Sequence, residues 1–352
     1  MDLFAGCGGL ALGAHEAARR HGFSPHCAFA SEWNPDALEI FKQNIDPKDW
    51  DSASITDLME GDVGALDFTT RELRWLKRLN GVELDLLTGG PPCQGHSDLN
   101  NHTRRNDPRN SLYLRMARAA QIFKPKLILI ENVATVIHAH EDVVNITKTE
   151  LLKLNYHVAE FTISSWDLGV PQTRRRHFIL ASLTGTPELP ALMSAEERQH
   201  RTVDWAIDDL RTLSSMDAAS SYDRPARSST ENQRRMQWLI DNNAYDLPDE
   251  HRPSCHRDKA HNYPAVYGRL HGDEPAPTIT SGFAANGQGR FTHPNANPGR
   301  PLTPHEAARI QTFPDWFDFG ERKRKVYSTT IGNAVPPLMA MRVTESLLKT
   351  LP

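Results

Sequence analysis

The stretch Gly89-Gly90-Pro91-Pro92-Cys93-Gln94-Gly95 sets a cysteine directly behind two prolines, just past the apolar run 84–88. Glycine and proline on both sides make this a loop with little backbone freedom, so the Cys93 sulfur is presented rigidly at the end of a buried strand. Such a thiol suits nucleophilic chemistry; the alternative is a buried structural thiol. Glu131 closes a second apolar run, Leu127-Ile128-Leu129-Ile130. A carboxylate directly behind four aliphatics is expected to be partly desolvated, with a raised pKa that lets it donate a proton near neutrality; a capping or ion-paired glutamate is the alternative. Gln172-Thr173-Arg174-Arg175-Arg176 runs into the apolar segment 177–182, and strand alternation puts Arg174 and Arg176 on one face, able to hold a polar ligand, or else a solvated basic run.

At the N-terminus, Phe4-Ala5-Gly6-Cys7-Gly8-Gly9 is a glycine-rich turn from strand to helix, where backbone can approach a cofactor closely or simply turn tightly; it does not match G-x-G-x-x-G. Glu32 ends the next apolar run, at about the distance where nucleotide-binding α/β folds place a ribose-binding carboxylate, and Trp33 beside it offers an indole face for a base. An acid at a helix N-terminus is the other reading of Glu32. Asp62, in Gly61-Asp62-Val63, sits in a loop where it could accept from an exocyclic amine or serve only as a turn residue. Cys255, His256, His261 and His271 match no familiar zinc spacing, so no metal is expected.

These residues need a scaffold that brings them to one edge. Apolar runs at 1–4, 28–30, 84–88 and 127–131 alternate with helical periodicity over 10–21, 35–44, 112–123 and 142–154. That β-α-β-α order predicts an α/β fold with a mostly parallel sheet between helices, and ligands bind along the carboxyl edge of such a sheet. The runs 156–164 and 177–182, joined through Gly169-Val170-Pro171, predict an antiparallel hairpin closing one edge. From 184 to 325 the alternation gives way to scattered Pro, Gly, Asn and His, predicting a second, smaller, loop-rich domain. A helix over 338–348 then returns to the core, so residues 1–183 plus 326–352 are expected to form the first domain.

At 352 residues with 24% charged side chains, a small stapled protein and a disordered chain are excluded. Four cysteines with no C-x-x-C pair fit a reducing compartment, and no apolar run approaches the ~20 residues of a membrane span, so the cytoplasm is the expected location and no membrane partner is expected. The net charge of -4 requires any polyanion to be met by a local basic surface.

Taken in order, Phe4-Ala5-Gly6-Cys7-Gly8-Gly9, Pro91-Pro92-Cys93-Gln94, Glu131-Asn132-Val133, Gln172-Thr173-Arg174-Arg175-Arg176 and Ile331-Gly332-Asn333-Ala334-Val335-Pro336 closely resemble the C5-cytosine DNA methyltransferase family, and the stretch 300–314 is similar to the family's penultimate motif. The resemblance implies a Rossmann-like methyltransferase sheet with S-adenosylmethionine as cofactor, and methylation of carbon 5 of a flipped cytosine in duplex DNA. Cys93 would attack carbon 6, Glu131 would serve ring N3, and Arg174 and Arg176 would hold the O2 side. It also implies a cofactor site of Phe4, Ala5, Gly6, Cys7, Gly8, Gly9, Glu32, Trp33, Asp62, Val63, Pro92 and Leu112, closed by Asn333 and Ala334. Residues 184–325 would be the target-recognition domain, with Arg224, Arg227, Arg234, Arg235, Arg252, Arg257 and Lys259 as phosphate contacts and Arg104, Arg105 and Arg109 in a lid. His96 stands where the family has Phe. A monomeric bacterial modification enzyme, acting at the nucleoid beside a cognate restriction endonuclease, is the implied context. The rivals are a tRNA-acting member of the superfamily, a catalytically dead DNA-binding regulator and a nicotinamide-dependent Rossmann enzyme.

Overall fold

The computed structural model describes residues 1–79, 81–92, 112–138, 142–212, 215–257 and 265–352. They form two compact units, the first of Met1–Ser164, Arg175–Leu192 and Pro337–Pro352, the second of Ser165–Arg174 and Met193–Pro336.

The first unit holds a seven-stranded sheet: β1 (Asp2–Leu3), β2 (Ala30–Ser31), β3 (Trp50–Asp51), β4 (Leu86–Gly89), β5 (Leu127–Val133), β6 (His157–Ser164) and β7 (Arg175–Ser182), in the order β3-β2-β1-β4-β5-β7-β6. The first five are parallel, and β7 lies antiparallel to both β5 and β6. Leu127, Ile128, Leu129 and Ile130 are wholly buried, as a central strand covered on both faces requires. Helices α1 (Gly9–Arg20), α2 (Pro35–Ile45), α3 (Ile55–Leu58), α4 (Thr70–Arg78), α5 (Leu114–Phe123) and α6 (Val143–Lys153) connect the strands. Local chemistry sets their starts. The Asn34 side chain accepts from the Asp36 and Ala37 amides (3.0 and 3.2 Å) with Pro35 at the first position of α2, and Thr69 and Glu72 form a capping box on α4. The chain runs outward through β1, β2 and β3, then crosses to β4 and β5 on the other side. The order therefore reverses between β1 and β4, and in open α/β sheets ligands bind outside the strand carboxyl ends at such a reversal.

The second unit carries α7 (Ala195–Gln199), α8 (Val203–Ile207), α9 (Thr230–Asp241), α10 (Pro304–Ile310) and α11 (Arg324–Asn333). Its described residues contribute only isolated bridges, such as Arg269 with Thr292 and Thr292 with Pro301. Its core includes an aromatic cluster, with Phe313, Phe317 and Phe319 packed at centroid distances of 4.8–5.2 Å. A buried amide chain threads it: Gln172 Nε2 donates to Gln311 Oε1 (2.8 Å), Gln311 Nε2 to the Ile331 carbonyl (2.7 Å), and the Ile279 amide to Gln172 Oε1 (2.8 Å). This chain, together with α11 packing on α10, puts residues 326–336 in the second unit, whereas the sequence reading grouped them with the first. The last helix, α12 (Pro337–Leu348), does return to the first unit. It lies so close to α1 that a Cβ on Gly13 would stand 2.4 Å from the Pro337 carbonyl oxygen.

Candidate active site

The loop leaving β1 is held by the end of β2. The Ala5 amide donates to the Ser31 carbonyl (3.0 Å), and the Gly6 amide donates to Glu32 Oε2 (2.8 Å), whose other oxygen accepts from the Asn34 amide (2.8 Å). Phe4, Gly6 and Gly8 all have positive φ (56°, 55° and 102°), which only glycine adopts freely, so the sequence spends two glycines where the backbone must turn within three residues. A Cβ on Gly6 would meet nothing within 4 Å, so its face is open to a ligand, whereas Gly8 packs on Ile45 and Phe41 as it begins α1. Glu32 is buried, which raises its carboxyl pKa; the Asn34 and Gly6 amides act the other way. Two donors leave lone pairs on each oxygen for ligand hydroxyls. Trp33 next to it is 72% exposed. An open loop face, an anchored carboxylate and an exposed indole at the strand-order reversal fit a nucleoside-bearing cofactor such as S-adenosylmethionine.

On the other side of that reversal, β4 ends in Gly89 and continues into Gly90-Pro91-Pro92. A Cβ on Gly90 would lie 3.2 Å from Glu131 Oε2, so the turn carrying the prolines passes directly over the Glu131 carboxylate. Asn132 Nδ2 donates to the Pro91 carbonyl (3.2 Å) and pins the turn to β5. Glu131 Oε1 pairs with Arg176 Nε at 2.8 Å, and both side chains are nearly buried. Glu131 is thus largely buried, as expected of a carboxylate behind four aliphatics, and also ion-paired, as the alternative reading had it. Cys93, the next residue after Pro92, lies outside the described residues, as do His96, Arg104, Arg105, Arg109 and Lys259. Burial pushes the Cys7 thiol up to about 12 and the Cys27 thiol to about 11, so neither supplies a thiolate near neutral pH.

Arg174 departs from the shared-face expectation. Strand β7 begins at Arg175, so period-two alternation does not reach Arg174. Its buried guanidinium donates instead to the Ile279 and Gly332 carbonyls (3.0 and 3.1 Å) within the second unit. Asn333 is exposed at the end of α11 and Ala334 is buried. In the first unit, Ala5, Cys7 and Gly9 are buried in the β1–α1 turn, Pro92 and Leu112 are half-buried, and Asp62 and Val63 stand in the loop after α3, with Asp62 exposed. Of the basic residues read as phosphate contacts, Arg235 is buried and paired with Glu231, Arg224 and Arg257 donate to nearby carbonyls, Arg252 pairs with Asp249, and Arg227 and Arg234 are exposed. Residue reading gave no role to Asn132; its place in Glu131-Asn132-Val133 was the available signal.

Comparison with known proteins supplies the rest. Residues 1–349 match the family of C-5 cytosine-specific DNA methylases. The chain is 44% identical over 335 residues to the Type II methyltransferase M1.BsuMI of Bacillus subtilis, covering 95% of this chain and 77% of that one. It is 30% identical over 359 residues to the Type II methylase M.HgiDII of Herpetosiphon aurantiacus, covering 100% and 95%. Among solved structures, the Entamoeba histolytica methyltransferase EhMeth shares the fold at TM-score 0.64 and 18% identity, covering 100% of this chain and 98% of that one. The chain belongs to the C-5 cytosine-specific DNA methylases, enzymes that take their methyl group from S-adenosylmethionine.

Proposed function

We propose that this protein methylates carbon 5 of one cytosine within a specific duplex DNA sequence, as the modification enzyme of a Type II restriction-modification system, through a covalent adduct between Cys93 and carbon 6 of a flipped base. The observation that carries the reading is the ion pair of Glu131 and Arg176 directly beneath Gly90-Pro91-Pro92, the three residues that lead into Cys93.

Carbon 5 of cytosine is a weak nucleophile. Attack of the Cys93 thiolate forms a bond to carbon 6 and pushes the ring electrons toward N3 and carbon 5. Glu131 takes up a proton as the base enters the site, delivers it to N3 and accepts from the exocyclic amine, so the adduct is neutral; general acid catalysis of this kind is worth ~10²–10⁴-fold. Arg176 stabilises the carboxylate that remains on Glu131 after the proton leaves and faces the O2 side of the base. Arg174 braces the backbone at 279 and 332. After methylation, loss of the carbon 5 proton to solvent and return of the N3 proton to Glu131 restore the ring electrons and expel Cys93 as its thiolate. S-adenosylmethionine, when bound, supplies an electrophilic methyl on a sulfonium. Glu32 would hold its ribose hydroxyls, Trp33 and Asp62 its adenine, and the open face of Gly6 leaves it room, with Phe4, Ala5, Cys7, Gly8, Gly9, Val63, Pro92 and Leu112 completing this part of the site.

A stacked base is out of reach of this machinery, so flipping is required, at a few kcal/mol of unstacking. The second unit is the target-recognition module, with exposed Arg227 and Arg234 toward phosphates. The enzyme acts as a monomer in the bacterial cytoplasm, beside an endonuclease that reads the same sequence. Labelled methyl transfer to duplex DNA and tRNA side by side, followed by bisulfite sequencing of DNA from cells expressing the chain, tests the reading. Label in DNA at a fixed sequence supports it, and label only in tRNA overturns the substrate assignment.

A further inference from the structure

Arg115 and Arg118, three residues apart on α5, direct their guanidiniums at one segment, residues 59–67. Arg115 Nη1 donates to the Met59 and Gly61 carbonyls (2.8 and 2.7 Å). Arg118 donates to the Ala65 and Asp67 carbonyls (both 2.8 Å). Glu72, in the first turn of α4, takes both Arg118 Nε (2.9 Å) and Nη2 (2.7 Å), and its Oε1 also accepts from the Gly61 amide (3.0 Å). Arg118 and Glu72 are wholly buried.

A buried ion pair of this kind stabilises a fold little better than apolar side chains of equal volume would; its return is a single permitted arrangement. Here that arrangement is imposed on backbone. A Cβ on Gly61 would lie 2.5 Å from Arg118 Nη2 and 2.9 Å from Glu72 Oε1, so the chain presses straight onto the pair. Above it the loop is exposed: Asp62, Gly64, Ala65, Leu66 and Asp67 all face solvent, Leu66 at 96%. A loop with so little apolar anchorage would wander, and ordering it at the moment of binding would subtract from affinity. The polar anchors beneath remove that cost.

We infer that Arg115, Arg118 and Glu72 are positioning residues for the cofactor: they fix the backbone of 59–67 so that Asp62 is presented to S-adenosylmethionine before it arrives. The inference rests on the assignment of Asp62 to the cofactor made above. Removing Arg118 or Glu72 would leave a buried charge unpaired, so the half-buried Arg115 carries the test. S-adenosylhomocysteine, which cannot transfer a methyl, is titrated by calorimetry into the full chain, its Asp62→Ala and Arg115→Met variants, and the double variant. Each single change weakens binding by about fivefold or more, and the double variant binds no more weakly than Asp62→Ala alone, because Arg115 acts only through Asp62. In turnover the loss falls on KM for S-adenosylmethionine and not on kcat. If Asp62→Ala binds like the wild type, the assignment of Asp62 is wrong and the inference goes with it. If Asp62→Ala is weakened while Arg115→Met is not, or if the two losses add, the assignment stands and the positioning role is refuted.

Discussion

Glu131 and Arg176 meet because of register. In the antiparallel pairing of β5 with β7, Glu131 stands opposite Phe178 and Val133 opposite Arg176, so the two charged side chains are diagonal neighbours on one face. Long side chains span that diagonal. The sequence contained both residues and their periodicity, but not the pairing, since strand order and register are decided by the whole sheet. For the same reason Arg174 and Arg176 read as equivalent in Gln172-Thr173-Arg174-Arg175-Arg176, while one enters the strand and the other stops short of it and binds carbonyls. If Glu131 carries the N3 proton, Glu131→Gln, which keeps the shape and loses the acid, lowers kcat by about 10²–10⁴-fold with cofactor binding intact. Methyl-transfer rates at saturating DNA check this, and turnover within threefold of the wild type would remove Glu131 from the mechanism.

At the scale of elements, the parallel strands and their flanking helices were legible because each is an apolar run or a 3.6-residue pattern of adequate length. The two-residue β3 and the polar helix α4 were not: the first is too short to show a period, and the second buries only Glu72 and Trp75. Helix α11 was hidden too, its sequence Arg-Lys-Val-Tyr-Ser-Thr-Thr-Ile-Gly-Asn being held by packing on α10 more than by propensity. Helix α10 itself starts at a charged clamp. Arg300 grips Glu306 with two bonds (2.7 and 2.8 Å), His293 Nε2 stands 3.4 Å away, and Thr303 completes a capping box. Burial alone would raise the Glu306 pKa, but the two hydrogen bonds from Arg300, with His293 close by, outweigh it and bring it to about 2, against 4.5 in an open chain. A depressed carboxyl pKa stabilises the fold above its unfolded value and loses that contribution as pH falls. Glu306→Gln therefore costs about 1–3 kcal/mol near neutrality. The deficit relative to the wild type shrinks as pH falls from 4.5 through 2. Denaturant melts of the two proteins across that range test it, and a deficit independent of pH would show that the clamp is not electrostatic.

For the molecule as a whole, a net charge of -4 on a DNA-acting enzyme means that phosphate contact is concentrated on few residues. DNA affinity is expected to fall linearly on a log–log plot against salt, by about 0.9 per phosphate neutralised, while cofactor affinity changes little; a flat DNA response would deny an ionic interface. Among the described residues no helix is long and apolar enough to cross a membrane. The layout places the β1–α1 loop, the proline turn and Glu131 at one edge of one sheet, and the proposed function requires it to bring a single sulfur, that of Cys93, to carbon 6 of a flipped base. Duplex DNA with 5-fluorocytosine at the target position tests this most directly, because fluorine cannot leave as a proton does and the adduct persists. Incubated with S-adenosylmethionine, the wild type should give a denaturation-resistant protein–DNA species whose peptide mass maps the bond to Cys93, and Cys93→Ser should give none. Absence of the species with active enzyme, or turnover preserved in Cys93→Ser, would contradict the account.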